Sequence, residues 1–173
     1  IDSNDQAPIG YNPVPEMTFS LAAGLNWKGI DFSILLQGAA RSSIYLQQDI
    51  AWDNFWGNYY EEHIGRWTPE TAATATYPRF TKAATAAHPN YYKSDYWLKD
   101  SKYLRLKNIQ LGYTIPRKLL KKFGVRSLRV YANAYNLFTW DNVKKVDPES
   151  SNNSNGQFYP QQKVINFGIN LNF

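Results

Sequence analysis

The sequence predicts an all-β protein whose antiparallel strands form part of a transmembrane β-barrel. Three observations predict it. Apolar and polar residues alternate with a period of two along five stretches of strand length. The connections between those stretches differ in length in a regular way, short ones taking turns with long ones. Finally, 16% of the 173 residues are aromatic while mean hydropathy is −0.53, so the apolar residues are diluted by regularly spaced polar ones, as in strands and unlike buried helices. No stretch approaches the roughly 18 consecutive apolar residues of a spanning helix.

Thr18 to Trp27 opens the first strand, with Phe19, Leu21, Ala23, Leu25 and Trp27 on one face and Thr18, Ser20, Ala22, Gly24 and Asn26 on the other. Lys28-Gly29 is a tight turn into a second strand, 30–40, whose Ile30, Phe32, Ile34 and Leu36 continue the apolar lane. A connection of about sixty residues follows, Arg41 to Asp100, rich in Trp, Tyr, Ala and Thr and without sustained periodicity. Loops above roughly 12–15 residues are mostly functional.

The third strand, 101–115, changes parity. Leu104 and Leu106 share one face, whereas Ile109, Leu111, Tyr113 and Ile115 share the other. Either a bulge near Lys107-Asn108 restores one continuous face, or the first half of the strand stands above a membrane. Pro116 ends it, and Arg117 to Gly124 reads as one or two turns of basic helix with Gly124 as the stop. The fourth strand, 127–139, sets Leu128, Val130, Ala132 and Ala134 against Arg129, Tyr131, Asn133 and Tyr135. A polar loop, Asp141 to Gln157, leads to the fifth, 162–173, where Ile165, Phe167, Ile169, Leu171 and Phe173 face away from Val164, Asn166, Gly168, Asn170 and Asn172.

A soluble aromatic-rich carbohydrate-binding β-sandwich also alternates, and it is the competing reading. The connection lengths, strands near the roughly 9–11 residues that cross a bilayer, and aromatics at strand ends (Trp27, Tyr113, Phe138, Trp140, Phe173) favour the barrel. Five strands cannot close, so the chain is expected to be a piece of something larger. Ile1 to Asp5 lacks the basic-then-apolar pattern of a signal peptide, which fits a start cut from within.

The net charge of +5 gathers in Arg117, Lys118, Lys121, Lys122, Arg126 and Arg129, with only Phe123 as an aromatic among them, which argues against nucleic acid. There is no cysteine, hence no disulfide or thiolate metal site. His63 and His88 lie far apart without carboxylates at ligand spacing, so both read as surface or packing residues. Glu61-Glu62 with Asp53 or Asn58 offers oxygens for calcium, but solvated loop acids are the preferred reading and no metal site is expected. Asn152-Asn153-Ser154 matches a glycosylation acceptor and reads as a polar loop tip. No nucleophile motif or phosphate loop is present, so neither an enzyme nor a cofactor is expected.

Ser94 to Pro116 (S-D-Y-W-L-K-D-S-K-Y-L-R-L-K-N-I-Q-L-G-Y-T-I-P), Ser127 to Trp140, Asp147 to Glu149 and the final Y-P-Q-Q-K-V-I-N-F-G-I-N-L-N-F closely resemble the C-terminal end of the SusC/RagA family. These are TonB-dependent outer-membrane transporters of Bacteroidetes. The hairpin from Asn26 to Gly38 and the fragment R-W-T-P-E, Arg66 to Glu70, extend the resemblance over nearly the whole chain. It implies the last five strands of a barrel of about 22, integral to the outer membrane, with the plug domain and N-terminal strands absent. It further implies Arg41 to Asp100 and Asp141 to Gln161 as extracellular and Arg117 to Arg126 as periplasmic. The implied function is TonB-driven uptake of an oligosaccharide or peptide, with a SusD-like surface lipoprotein, the remaining barrel and plug, TonB and outer-membrane lipid as partners.

Within that frame the loop aromatics Trp52, Phe55, Trp56, Tyr59, Tyr60, Trp67, Tyr91 and Tyr92 are candidates for contact with substrate or partner, or else the loop's own small core. Arg129, Tyr131, Asn133 and Tyr135 are expected to face the lumen or plug. Phe167, Ile169, Leu171 and Phe173 are expected to face lipid, and the resemblance implies that together they form the C-terminal barrel-assembly signal, with Phe173 its terminal aromatic at a periplasmic strand end.

Overall fold

The computed structural model describes residues 3–82, 88–150 and 158–173; the Asn152-Asn153-Ser154 tripeptide falls outside them. Seven strands are described: β1 Met17–Trp27, β2 Ile30–Ala40, β3 Ser43–Tyr45, β4 Leu98–Asp100, β5 Tyr103–Thr114, β6 Ser127–Asp141 and β7 Val164–Asn172. The chain separates into two compact units. One holds 16–40, 102–141 and 161–173, and the other 1–15, 41–101 and 142–160.

The first unit is an antiparallel sheet in the order β1-β2-β5-β6-β7, with β1 and β7 as edges. Lys28 and Gly29 both take positive φ (48° and 89°), the mirror-image turn whose twist matches a hairpin. Gly29 is required there, since a Cβ would also stand 2.7 Å from the Thr114 carbonyl oxygen. At the same end, β5 passes into β6 through Pro116, a single helical turn α1 (Arg117–Leu120) and a 3-10 turn (Lys121–Phe123), stopped by Gly124 at φ 65°. The glycine adopts the left-handed conformation common just past a helix end.

Register aligns one face across all five strands. The rows Leu25–Phe32–Leu111–Ala132–Phe167 and Ala23–Ile34–Ile109–Ala134–Ile165 run straight across the sheet. The parity change in β5 is resolved by a bulge: Leu35 pairs with Asn108 and Leu36 with Leu106, leaving Lys107 extra. Leu104 and Leu106 therefore share the face of Ile109 and Leu111. On β6 the step from Tyr135 to Phe138 faces the step from Asn108 to Leu106, so this strand holds one residue more again, with Asn136 at φ 51°.

Strand ends depart slightly from the alternation. β5 begins at Tyr103, not at 101, because Ser101 donates from its backbone N–H to Ser42 O (3.0 Å) and from its hydroxyl to Ser42 Oγ (2.8 Å), tying it to the other unit. β7 begins at Val164, not 162: Gln162 O accepts from Asn136 Nδ2 (3.1 Å) and Gln161 Oε1 from Lys107 Nζ (3.1 Å), beside the bulge. Phe173 lies just past the strand, and β6 continues to Asp141 because Asp141 pairs with Tyr103.

The second unit is built without long elements. β3 pairs with β4, and three 3-10 turns (Gln48–Ile50, Glu61–Gly65, Pro89–Tyr91) punctuate the 41–100 stretch. Elements of three to five residues leave no room for a hydrophobic period. Its core is Ile44, Leu46, Ala51, Trp52, Tyr77, Tyr91, Trp97 and Val143, with Phe55, Phe80 and Val146 packed against it. The main buried apolar cluster of the described residues lies here, whereas the sheet leaves most of its large apolar side chains exposed.

Candidate functional site

Arg129, Tyr131, Asn133 and Tyr135 stand on the sheet face opposite the apolar rows, because alternate residues of β6 point to opposite sides. Their hydrogen-bonding groups are joined across strands. Arg129 Nε donates to Asp31 Oδ1 (2.9 Å) and its Nη2 to Oδ2, a two-point pair that reaches diagonally over Gly112 from β6 to β2. The same guanidinium lies 4.8 Å from the centre of the Tyr131 ring. Tyr131 in turn covers Gly168 of β7, where a Cβ would overlap the ring. Asn166 Nδ2 donates to Asn133 Oδ1 (3.0 Å), and Arg105 Nε to Thr139 Oγ1 (2.9 Å). This is a polar face whose hydrogen-bonding groups are tied together across the strands.

The other face has the opposite character. Leu21, Leu25, Leu111, Ile165, Phe167, Ile169 and Leu171 are all exposed, Phe167 at 82%. A shallow groove of about 450 Å³ runs over Ala132 between Tyr113, Val130 and Phe167, where the small alanine separates larger neighbours. Trp27 and Tyr113 mark the hairpin end of this face, and the stacked pair Phe138 and Trp140, centroids 6.2 Å apart, marks the other. A water-soluble sandwich would bury such a face against a second sheet.

The loop aromatics divide by burial. Trp52 and Tyr91 are 3% exposed and pack ring against ring, tilted by 31° with centroids 4.6 Å apart, inside the second unit's core. Phe55 packs edge-on to Trp52 and to Trp56, each at 5.8 Å, and carries the ring chain outward to Trp56, 82% exposed. Tyr59, Tyr60, Trp67 and Tyr92 also reach the surface. Asp53 is buried at the centre of the cluster, accepting from Tyr91 and Tyr77 hydroxyls and from Thr81 N–H (3.0 Å). Burial, then the hydrogen bond to Asp53, pushes the Tyr91 phenol well above its ordinary pKa. Burial and the nearby Asp53 charge do the same to Tyr77, and burial with Glu62 raises Tyr96 to about 12.

His63 is a packing residue in the full sense. Its Nδ1 accepts from Tyr60 N–H (3.0 Å), its Nε2 lies 3.3 Å from Ala51 O, and Tyr77, Tyr60 and Phe80 surround the ring. His88 Nδ1 accepts from Asn90 N–H (3.2 Å). Asp53 is enclosed by tyrosines and Glu62 pairs with Lys145, so these acids do not converge. Among the described residues no three His, Asp or Glu side chains gather as metal ligands. Sequence reasoning missed Asp31 as the partner of Arg129, which only strand register brings together, and it missed Arg66 and Arg79, which line one pocket of the second unit.

No family model matches the chain. It is 30% identical over 190 residues to the TonB-dependent receptor P26 of Formosa agariphila, covering 100% of this chain and 18% of that protein. Against the TonB-dependent receptor SusC of Bacteroides thetaiotaomicron it is 26% identical over 175 residues, covering 100% of this chain and 16% of the relative. Its fold matches the RagAB peptide importer in the open-open state at a TM-score of 0.74 and 22% identity, over 100% of this chain and 19% of that one. The closed-closed state gives the same TM-score. The chain thus spans less than a fifth of the length of these relatives. Similarity along its full length to TonB-dependent receptors, joined to an open antiparallel sheet that matches the RagAB fold, makes the chain the counterpart of a C-terminal barrel segment of a SusC-like TonB-dependent receptor.

Proposed function

We propose that this segment forms part of the wall and extracellular surface of an active importer that takes up an oligosaccharide or a peptide, driven through TonB. The observation that carries the reading is the sheet with two opposed faces: a continuous exposed apolar face from β1 to β7, and a polar face whose side chains are hydrogen-bonded to one another. In this reading the apolar face meets lipid, while Arg129, Tyr131, Asn133 and Tyr135 line the lumen beside the plug. Both edges, β1 and β7, pair with further strands of the barrel.

All three segments of the second unit join the sheet at the strand ends opposite the Lys28-Gly29 turn. Long connections on one side and tight turns on the other support an extracellular position for this unit. Its exposed rings Trp56, Tyr59, Tyr60, Trp67 and Tyr92 are then the surface that meets cargo or a SusD-like lipoprotein. The relative named a peptide importer favours peptide and the one named SusC leaves glycan open.

Cysteine labelling tests the reading, since these 173 residues contain no cysteine. In the full-length transporter, with any other cysteines removed, Trp56→Cys is expected to react with a membrane-impermeant maleimide on intact cells. Leu111→Cys and Phe167→Cys are expected to stay unreactive until the membrane is dissolved. Equal labelling of all three in intact cells would overturn the proposal. Co-purification with a surface lipoprotein and loss of uptake in a TonB-deficient strain check the partners.

A further inference from the structure

The second unit holds a pocket of about 360 Å³ lined by Arg66, Trp67, Thr68, Pro69, Arg79 and Phe80. Among the described residues no carboxylate pairs with either guanidinium, and the Glu70 carboxylate at the rim is hydrogen-bonded to Thr68 instead. Arg66 lies 5.0 Å from the centre of the Phe80 ring, which holds the guanidinium over an aromatic face while leaving its N–H groups open. Arg79 is exposed, and its backbone carbonyl is fixed by Asn90 Nδ2 (2.8 Å).

The frame of the pocket is rigid. Trp67 N–H donates to Tyr77 O (2.9 Å) and Arg66 N–H to His63 O (3.2 Å). Thr68 N–H donates to Thr71 Oγ1 (2.8 Å), and that hydroxyl lies close enough to donate to Arg66 O (2.9 Å). Phe80 is wedged against Tyr59, Tyr77 and His63. With these backbone donors occupied and Pro69 offering none, the site presents two cationic forks and the ring of Trp67, Phe80 being already covered by Arg66. It has no free strand edge of the kind that holds an extended peptide.

We propose that this pocket binds an anionic sugar, a pyranose bearing a carboxylate or a sulfate ester. Its charge would be gripped by Arg66 and Arg79 while its ring lies against Trp67. Arginine forks match planar or trigonal oxyanions, and aromatic faces accept a flat ring. The inference rests on the importer reading in taking this sugar for cargo, but binding can be measured without transport.

The test is calorimetric titration of the purified full-length transporter in detergent. The probes are tetragalacturonate for the carboxylate, a carrageenan tetrasaccharide for the sulfate ester, maltotetraose as the neutral sugar and tetraglutamate as the acidic peptide. At least one anionic sugar is expected to bind, and R66Q/R79Q to weaken it by about tenfold or more. R66K/R79K is expected to retain part of the affinity and W67A to lose part of it. R79Q alone serves if the double variant does not assemble, since this guanidinium is exposed and holds nothing in place. The inference is overturned if neither anionic sugar binds, if maltotetraose or tetraglutamate binds equally well, or if R66Q/R79Q, or R79Q in its place, leaves affinity unchanged. Failed binding with TonB-dependent uptake intact removes the inference alone. Binding with position 56 inaccessible from outside removes the importer reading instead.

Discussion

Tyr131 can lie flat across β7 only because residue 168 has no side chain. A methyl there would occupy ring space, and moving Tyr131 aside would disturb its contact with Arg129, 4.8 Å from the ring centre. Gly168→Ala is therefore expected to destabilise the folded barrel by about 1–3 kcal/mol, and much less in a Tyr131→Ala background. A double-mutant cycle by urea unfolding in lipid vesicles checks this. Position 167, on the opposite face of the same strand, should obey another rule. Phe167→Arg is expected to cost about 2–4 kcal/mol if it lies near the bilayer midplane, because a cation is forced into hydrocarbon. Asn166→Arg, one residue away, should cost far less. The mobility shift between folded and heat-denatured barrel on a gel reads both variants.

The elements differ in what holds them. Backbone ladders and cross-strand pairs hold the sheet, whereas rings around Asp53 hold the second unit. Trp52→Ala should cost about 3–5 kcal/mol of that unit's stability and expose 41–100 to protease, while Trp56→Ala should stay within about 0.5 kcal/mol. Limited proteolysis of whole cells separates the two. Alkali should open the unit as well. The Tyr77 and Tyr91 phenols are raised above their unfolded value of 10.0, so the stability they contribute is complete below that pH and is lost as pH climbs beyond it. Tyrosinate absorbance at 295 nm should therefore lag during titration and then rise together with loss of near-ultraviolet ellipticity.

Across the whole molecule, the apolar face dictates the solvent. The isolated five-stranded sheet is expected to aggregate in buffer and to require detergent, with two long unpaired edges adding to the tendency. Sedimentation of the refolded segment with and without detergent decides it. The same face was the most legible feature of the sequence, because a period of two needs only local reading. Alternation also exposed the bulge in β5, where one extra residue inverts parity. It could not expose the one in β6, since from Ala134 to Phe138 the count relative to β2 is even and the pattern stays in step. Trp52 and Trp56 likewise look alike in sequence. Which is buried depends on Tyr77 and Tyr91, distant in the chain, and the Arg129–Asp31 pair spans 98 positions. Local pattern gives faces, whereas distant closure gives partners.

Lys107 thus sets the phase of its strand. Between Ile109 and Leu106 it lets one half of β5 keep leucine outward while the other keeps isoleucine and leucine outward on the opposite parity. Deleting this half-buried lysine would remove the bulge and leave Leu104, Leu106, Ile109 and Leu111 in unbroken alternation on one face. Pairing it regularly in the ladder would instead send Leu104 and Leu106 inward and Tyr103 and Arg105 toward hydrocarbon. A lysine left out of the pairing, replaceable in its chemistry, is what keeps Arg105 off the apolar face.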